Sequence, residues 1–111
     1  MQGIYLKFYA YEFEQHHGML LYEWLLEFAK KQGIKGGSAF RGIAGYGRHG
    51  QIHVEHFFEL SANVPVVITF VISEEVCSTF LELLKKEKIN LFYIKIPVEH
   101  GSLLENSSPS K

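Results

Sequence analysis

Cysteine is almost absent from this chain. Cys77 is the only one in 111 residues, which excludes an internal disulfide and points to a reducing compartment. Strong charge of either sign is missing too: the net charge is −1 and no Lys/Arg run exceeds two residues. A nucleic-acid binder needs a basic face to displace phosphate counterions, so none is expected. No charged segment followed by an apolar stretch opens the chain, so no signal peptide is expected. The longest apolar run, Val64 to Ile72, is too short to span a bilayer and contains Pro65 and Thr69. Together these absences predict a cytoplasmic protein with no membrane insertion. Catalytic constellations are missing as well. Ser38, Ser61 and Ser73 have no flanking His/Asp arrangement, and Cys77 reads as a small core residue, so no enzyme is expected.

The chain has an ordinary soluble composition, 47% hydrophobic and 21% charged, and is long enough for one core. We place the domain at residues 1–100 and read the polar, Ser-rich residues 101–111 as a disordered tail. Ile4, Leu6 and Phe8 alternate with Tyr5, Lys7 and Tyr9, which predicts a strand. A polar, turn-like stretch from Glu12 to Gly18 follows. Leu21, Leu25 and Phe28 then recur at helical spacing until Gly33 stops the helix. A second strand is predicted from Ser38 to Ile43, and a long irregular connection from Gly47 to Asn63. The third strand, Val64 to Ile72, leads to the N-cap Ser73 and a helix whose buried stripe is read as Val76, Phe80, Leu83 and Leu84. A last strand runs from Leu91 to Ile96 and ends at Pro97.

Strand-helix-strand, twice over, predicts an α+β fold of the ferredoxin-like βαββαβ type: a four-stranded antiparallel sheet with two helices on one face. Such a sheet has a bare side. The third strand is apolar on both faces, Val67, Thr69 and Val71 on one and Val66, Ile68, Phe70 and Ile72 on the other. The uncovered face therefore calls for a second copy of the chain. An aspartate at Ile68 or Phe70 is expected to dissociate or unfold the protein.

Arg41-Gly42-Ile43-Ala44-Gly45-Tyr46-Gly47-Arg48 is the most informative segment. Glycines let bare backbone approach a ligand, and arginines at each end supply fixed positive charge. Gly45, Gly47 and Arg48 suit an anion or a phosphate, while Tyr46 either flanks a base or anchors the loop. Arg41 reads as a ligand contact or as half of an intersubunit ion pair. His49, His53 and His56 have spacings of four and three, which leaves a metal-binding alternative open. We assign no metal set, and count His49 and His53 with the ligand-binding residues. His17 is a helix-entry residue that could reach a neighbour's pocket.

Ala44-Gly45-Tyr46-Gly47-Arg48 resembles the Gly-Phe-Gly-Arg segment at which PII signalling proteins leave their second strand for the T-loop. The wider pattern resembles a smaller PII-like family of unknown function. Its elements here are His17-Gly18-Met19-Leu20-Leu21-Tyr22, Arg41 to Gly47, His53, and Leu60 to Val67, in order and over roughly residues 4 to 98. Asn63 stands where that family has Asp, which removes a charge. Lys85 to Asn90 occupies the place of the Gly-rich phosphate loop of PII proper, and Gly47 to Asn63 is short for a T-loop. The resemblance implies a homotrimer that binds AMP, ADP, ATP or a similar anion in clefts between subunits. It further implies no required cofactor, and a transporter or enzyme as the regulated partner. A CutA-type metal-binding trimer and a small enzyme acting on a phosphorylated metabolite are the rival expectations.

Overall fold

The computed structural model describes residues 1–46, 52–54 and 63–104, with backbone alone at 52–54. Its elements run β1 (Gln2–Tyr11), β2 (Gln15–His16), β3 (Met19–Leu20), α1 (Leu21–Lys31), β4 (Ser38–Arg41), β5 (Ala44–Tyr46), β6 (Ile52–Val54), β7 (Pro65–Ile72), α2 (Glu74–Lys86) and β8 (Phe92–Glu99). The main sheet has the order β4-β7-β1-β8 and is antiparallel throughout. This is the expected ferredoxin-like arrangement, with one short ribbon added before α1 and another between the two strand-helix-strand halves.

One face of the sheet carries the core. Ile4, Leu6, Phe8 and Ala10 on β1 lie opposite Ile72, Phe70, Ile68 and Val66 on β7, and all eight are buried. Leu21, Leu25 and Ala29 of α1 and Cys77, Phe80 and Leu84 of α2 close over them. Phe8, Phe70 and Phe80 meet pairwise edge to face with centroids 5.6–6.2 Å apart. Each such pair contributes roughly 0.5–1.5 kcal/mol beyond the area it buries. The α2 stripe is rotated from the one expected: Cys77 is buried and Val76 is exposed, with Leu83 only half-buried. Cys77, Phe80 and Leu84 share one side of the helix at i, i+3 and i+7, whereas Val76 lies a residue off it.

Both helices are terminated locally. The Val76 N–H donates to Ser73 Oγ at 3.1 Å, as an N-cap serine allows. Gly33 follows α1 with φ +89, a conformation that disfavours other residues. At its start α1 has no side-chain cap; the Leu21 N–H instead donates to the Glu14 carbonyl at 2.7 Å.

Four further expectations need correction. The second strand stops at Arg41 rather than Ile43, where the Gly42 N–H turns back to the Pro65 carbonyl at 2.7 Å. The connection after Gly47 is not wholly irregular, because β6 pairs with β5. The polar stretch before α1 contains the β2–β3 hairpin. Pro97 lies inside β8 opposite Ile4, not beyond its end. An edge strand accepts proline because the missing N–H need not belong to a ladder. The structure also separates the two faces of β7. Ile68 and Phe70 point to the helices, so they are fold residues, and it is Val67, Thr69 and Val71 that lie on the uncovered side.

Candidate functional site

The Gly-Tyr segment forms the β5–β6 ribbon, with Ala44 opposite Val54, Gly45 opposite His53 and Tyr46 opposite Ile52. Two glycines seat its base. A Cβ at Gly42 would lie 3.0 Å from Pro65 Cγ, and one at Gly45 3.1 Å from the same atom. Close packing on Pro65 thus accounts for these two glycines, whatever they later approach. Tyr46 is 73% exposed at the end of β5, so its ring is free to meet another molecule rather than anchor the base.

Arg41 faces the opposite side from Phe40, as its register requires. Its Nε donates to Glu12 Oε2 at 2.9 Å, and its terminal NH2 donates to Glu12 Oε1 at 3.1 Å. A forked pair of this kind fixes a guanidinium more firmly than a single contact. It ties the end of β4 to the turn after β1. That turn is also held by the Phe13 N–H, which donates to Asn63 Oδ1 at 2.9 Å. The amide oxygen of Asn63 accepts this bond without the charge that an aspartate would bring. The sequence-predicted residues therefore divide. Arg41, Gly45 and Tyr46 lie at one end of the sheet, and the backbone of His53 faces Gly45. Gly47, Arg48, His49 and His56 lie outside the described residues, as does the side chain of His53.

The sheet face that neither helix covers adjoins this ribbon. Phe40, Val67, Tyr9 and Phe92 form one row across all four strands, with Phe40 and Phe92 well exposed. Ser38, Thr69, Lys7 and Ile94 form the next row, and Val71, Tyr5 and Ile96 the third. Tyr9 and Phe92 rings touch at 5.7 Å, and Lys7 Nζ lies 5.4 Å above the Tyr9 ring. A face this broad, apolar except for the row of Ser38, Thr69 and Lys7, is characteristic of an interface.

A second grouping was not legible in the sequence. His16 Nε2 and His17 Nε2 each lie 3.1 Å from Glu87 Oε1. Hydrogen bonds from His16, then from His17, hold the Glu87 carboxyl below the usual carboxylate range. Seventy residues separate His17 from Glu87, and no spacing rule joins them. The one available signal was that Glu87 is an acid at the end of a helix otherwise finished by Lys85 and Lys86. Cys77, in contrast, is inert: burial pushes its thiol up, which Lys95 opposes and Glu74 reinforces.

The same architecture occurs in solved structures. CPII, a nitrogen regulatory PII-like protein from Thiomonas intermedia K12 solved with ADP, AMP and bicarbonate, matches with a TM-score of 0.65 at 15% identity, over 88% of this chain and 87% of that one. A candidate PII-like signaling protein from Thermus thermophilus matches at 0.64 and 18% identity, over 88% of each chain. At these identities the likeness defines the fold, which is PII-like. Sequence comparison is more specific: residues 3–94 match the DUF190 family, described as Uncharacterized ACR, and the chain belongs to that family. A UPF0166 protein of Aquifex aeolicus is 39% identical over 80 residues, 72% of this chain and 76% of that protein. Another, from Methanocaldococcus jannaschii, is 39% identical over 70 residues, 63% of this chain and 64% of that protein. The resemblance drawn from the motifs, to a small PII-like family of unknown function, therefore holds.

Proposed function

We propose that this chain is a non-enzymatic regulatory protein, a homotrimer that binds an adenine nucleotide (AMP, ADP or ATP) or a similar anion in clefts between its subunits. The observation that carries this reading is the exposed Tyr46 end of the β5–β6 ribbon beside an uncovered apolar sheet face. On this reading a neighbouring subunit covers the face, and the ribbon and the residues after it complete the cleft. CPII, which shares the fold, was solved with ADP and AMP. Arg48, directly after Gly45-Tyr46-Gly47, supplies the charge-assisted bond to phosphate, with Gly45, Gly47, His49 and His53 around the anion. Arg41 contributes through the position that Glu12 gives it. Segment 47–63 is then the responding element, and its response to ligand alters docking to a transporter or enzyme in the cytoplasm. No helix among the described residues is long and apolar enough to cross a membrane.

The phosphate count follows from the far end of α2. Where PII proper has a Gly-rich phosphate loop, this chain has the C-terminal turn of a helix, capped by Glu87. Without that run of glycine N–H groups, few backbone donors converge on a long phosphate tail. AMP or ADP should therefore bind at least as tightly as ATP. Calorimetry on the tag-free protein with the three nucleotides tests this. Arg48→Ala should weaken binding about ten- to a hundredfold, because a charge-assisted hydrogen bond is worth roughly 1.5–3 kcal/mol. No binding of any of the three at millimolar concentration would overturn the nucleotide reading. ATP tighter than ADP by more than about tenfold, roughly 1.4 kcal/mol, would overturn the phosphate count alone.

A further inference from the structure

We propose that His16, His17 and Glu87 form a binding site for one divalent transition-metal ion of the zinc class, argued from the cluster's own geometry and not from the nucleotide reading. The ligand atoms, one from each residue, all lie within 4.8 Å of one another. Two of the three separations are 3.1 Å, from each Nε2 to the shared Glu87 oxygen. A tetrahedral zinc ion with bonds of about 2.0–2.2 Å holds its ligand atoms roughly 3.3–3.5 Å apart. The cluster is thus close to metal-ready, and only the approach of the two imidazoles needs adjusting. Imidazole nitrogens select zinc, cobalt or nickel over magnesium or calcium, which prefer oxygen. Three protein ligands leave a fourth position open to water or to an anion.

Each ligand is positioned by a different part of the fold. His16 ends β2 with its side chain 17% exposed, edge-on to Trp24 at 4.4 Å. Trp24 stacks on Phe28 at 4.8 Å, and Phe28 on Phe80 at 5.9 Å, so an aromatic wall runs from this histidine into the core. His17 and Gly18 form the hairpin turn between β2 and β3, with φ values of +51 and +78. A type I′ turn needs both central residues at positive φ, and asparagine is much the better residue at the first. Histidine there accepts a less favoured backbone and aims its ring at Glu87. Glu87 itself is the C-cap of α2. A carboxylate at the negative end of a helix is unfavourable. The lysines of the same turn, Lys85 and Lys86, offset this only from the helix side, without sharing its contact with the two imidazoles. Two neutral imidazoles, with centroids 4.1 Å apart, supply no net charge. Two protonated ones would repel each other. One divalent ion neutralises the carboxylate, answers the helix dipole and uses both nitrogens.

Trp24 is the chain's one tryptophan and lies beside both histidines, 6.3 Å from the His17 ring, so it is a built-in reporter. Chelator-treated, tag-free protein should be titrated with cobalt(II) while tryptophan fluorescence and visible absorption are recorded. Quenching and cobalt ligand-field bands should saturate together at one ion per chain. His17→Asn removes a ligand yet installs the Asn-Gly pair that the turn favours, so folding is kept. It should weaken cobalt binding by at least about tenfold, the lower end of what even supporting residues of a metal site contribute. Glu87→Gln should do the same, whereas His53→Ala should leave the midpoint unchanged. The proposal is overturned by an absence of quenching at millimolar cobalt. An unchanged midpoint in either the His17 or the Glu87 variant overturns it equally. So does loss of binding in the His53 variant, which would move the metal to the other ribbon.

Discussion

The two faces of the central sheet are built from the same strands and nearly the same residue types, yet they answer to different partners. On the helix side, Leu6, Phe8, Ile68 and Phe70 are buried within one chain, interlocked by the Phe8, Phe70 and Phe80 rings. On the other side, Tyr9, Val67 and Phe92 line up in register but stay partly or well exposed. On the two middle strands, β1 and β7, the helix side uses only aliphatic and phenyl groups. The open side mixes in Tyr5, Lys7 and Tyr9, whose polar ends tolerate water until a partner arrives. Alternation along a strand separates the two roles residue by residue, so neighbouring substitutions should fail in different ways.

The largest expected effect lies on the helix side. Ile68→Asp places an unpaired carboxylate in the core and should abolish cooperative unfolding; even Ile68→Ala should cost about 2–5 kcal/mol. Cys77, wholly buried, reports the loss: its thiol should become reactive to a disulfide reagent in the Asp variant. Val67→Asp, one residue away, should leave Cys77 protected and circular dichroism unchanged, but reduce a trimer to a monomer in light scattering. Val67→Asp with unaltered mass would show that the open face is not the subunit contact. The smallest effect belongs to Ser73→Ala, which removes only a cap of α2 and should destabilise by about 1 kcal/mol. Its mass and nucleotide affinity should match the parent, which separates weakening of the helix layer from loss of the interface.

Much of this was legible in the sequence, for reasons the elements themselves show. Both faces of β7 could be read because period-two alternation needs no knowledge of neighbours. Ser73 and Gly33 carry their roles in their own chemistry. The second helix was misphased by one residue because Val76 and Cys77 are adjacent and both apolar, and only tertiary packing chooses between them. Pro97 was read as a stop because the strand was not known to be an edge. The β2–β3 hairpin was missed because its strands are two residues each and its turn is His-Gly rather than Asn-Gly. Of the candidate sites, the Gly-Tyr-Gly segment is contiguous and therefore visible. His16, His17 and Glu87 meet only because α1 and α2 pack side by side, and nothing local announces that.

The sheet's pairing has a temporal consequence. Strand β1 makes its ladders with β7 and β8, from Gln2 opposite Glu99 to Tyr11 opposite Pro65. Neither neighbour of the central strand exists until well over half of the chain has been synthesised. On a ribosome, an apolar strand with two open edges must therefore wait for its partners, beside a helix that has little yet to cover. Long loops must close before these contacts repay their entropy, which makes such topologies slow folders. The tight corner around Glu14 and Leu21 is the exception: it closes within a few residues, so the first helix can acquire its start before any of the main sheet is in place.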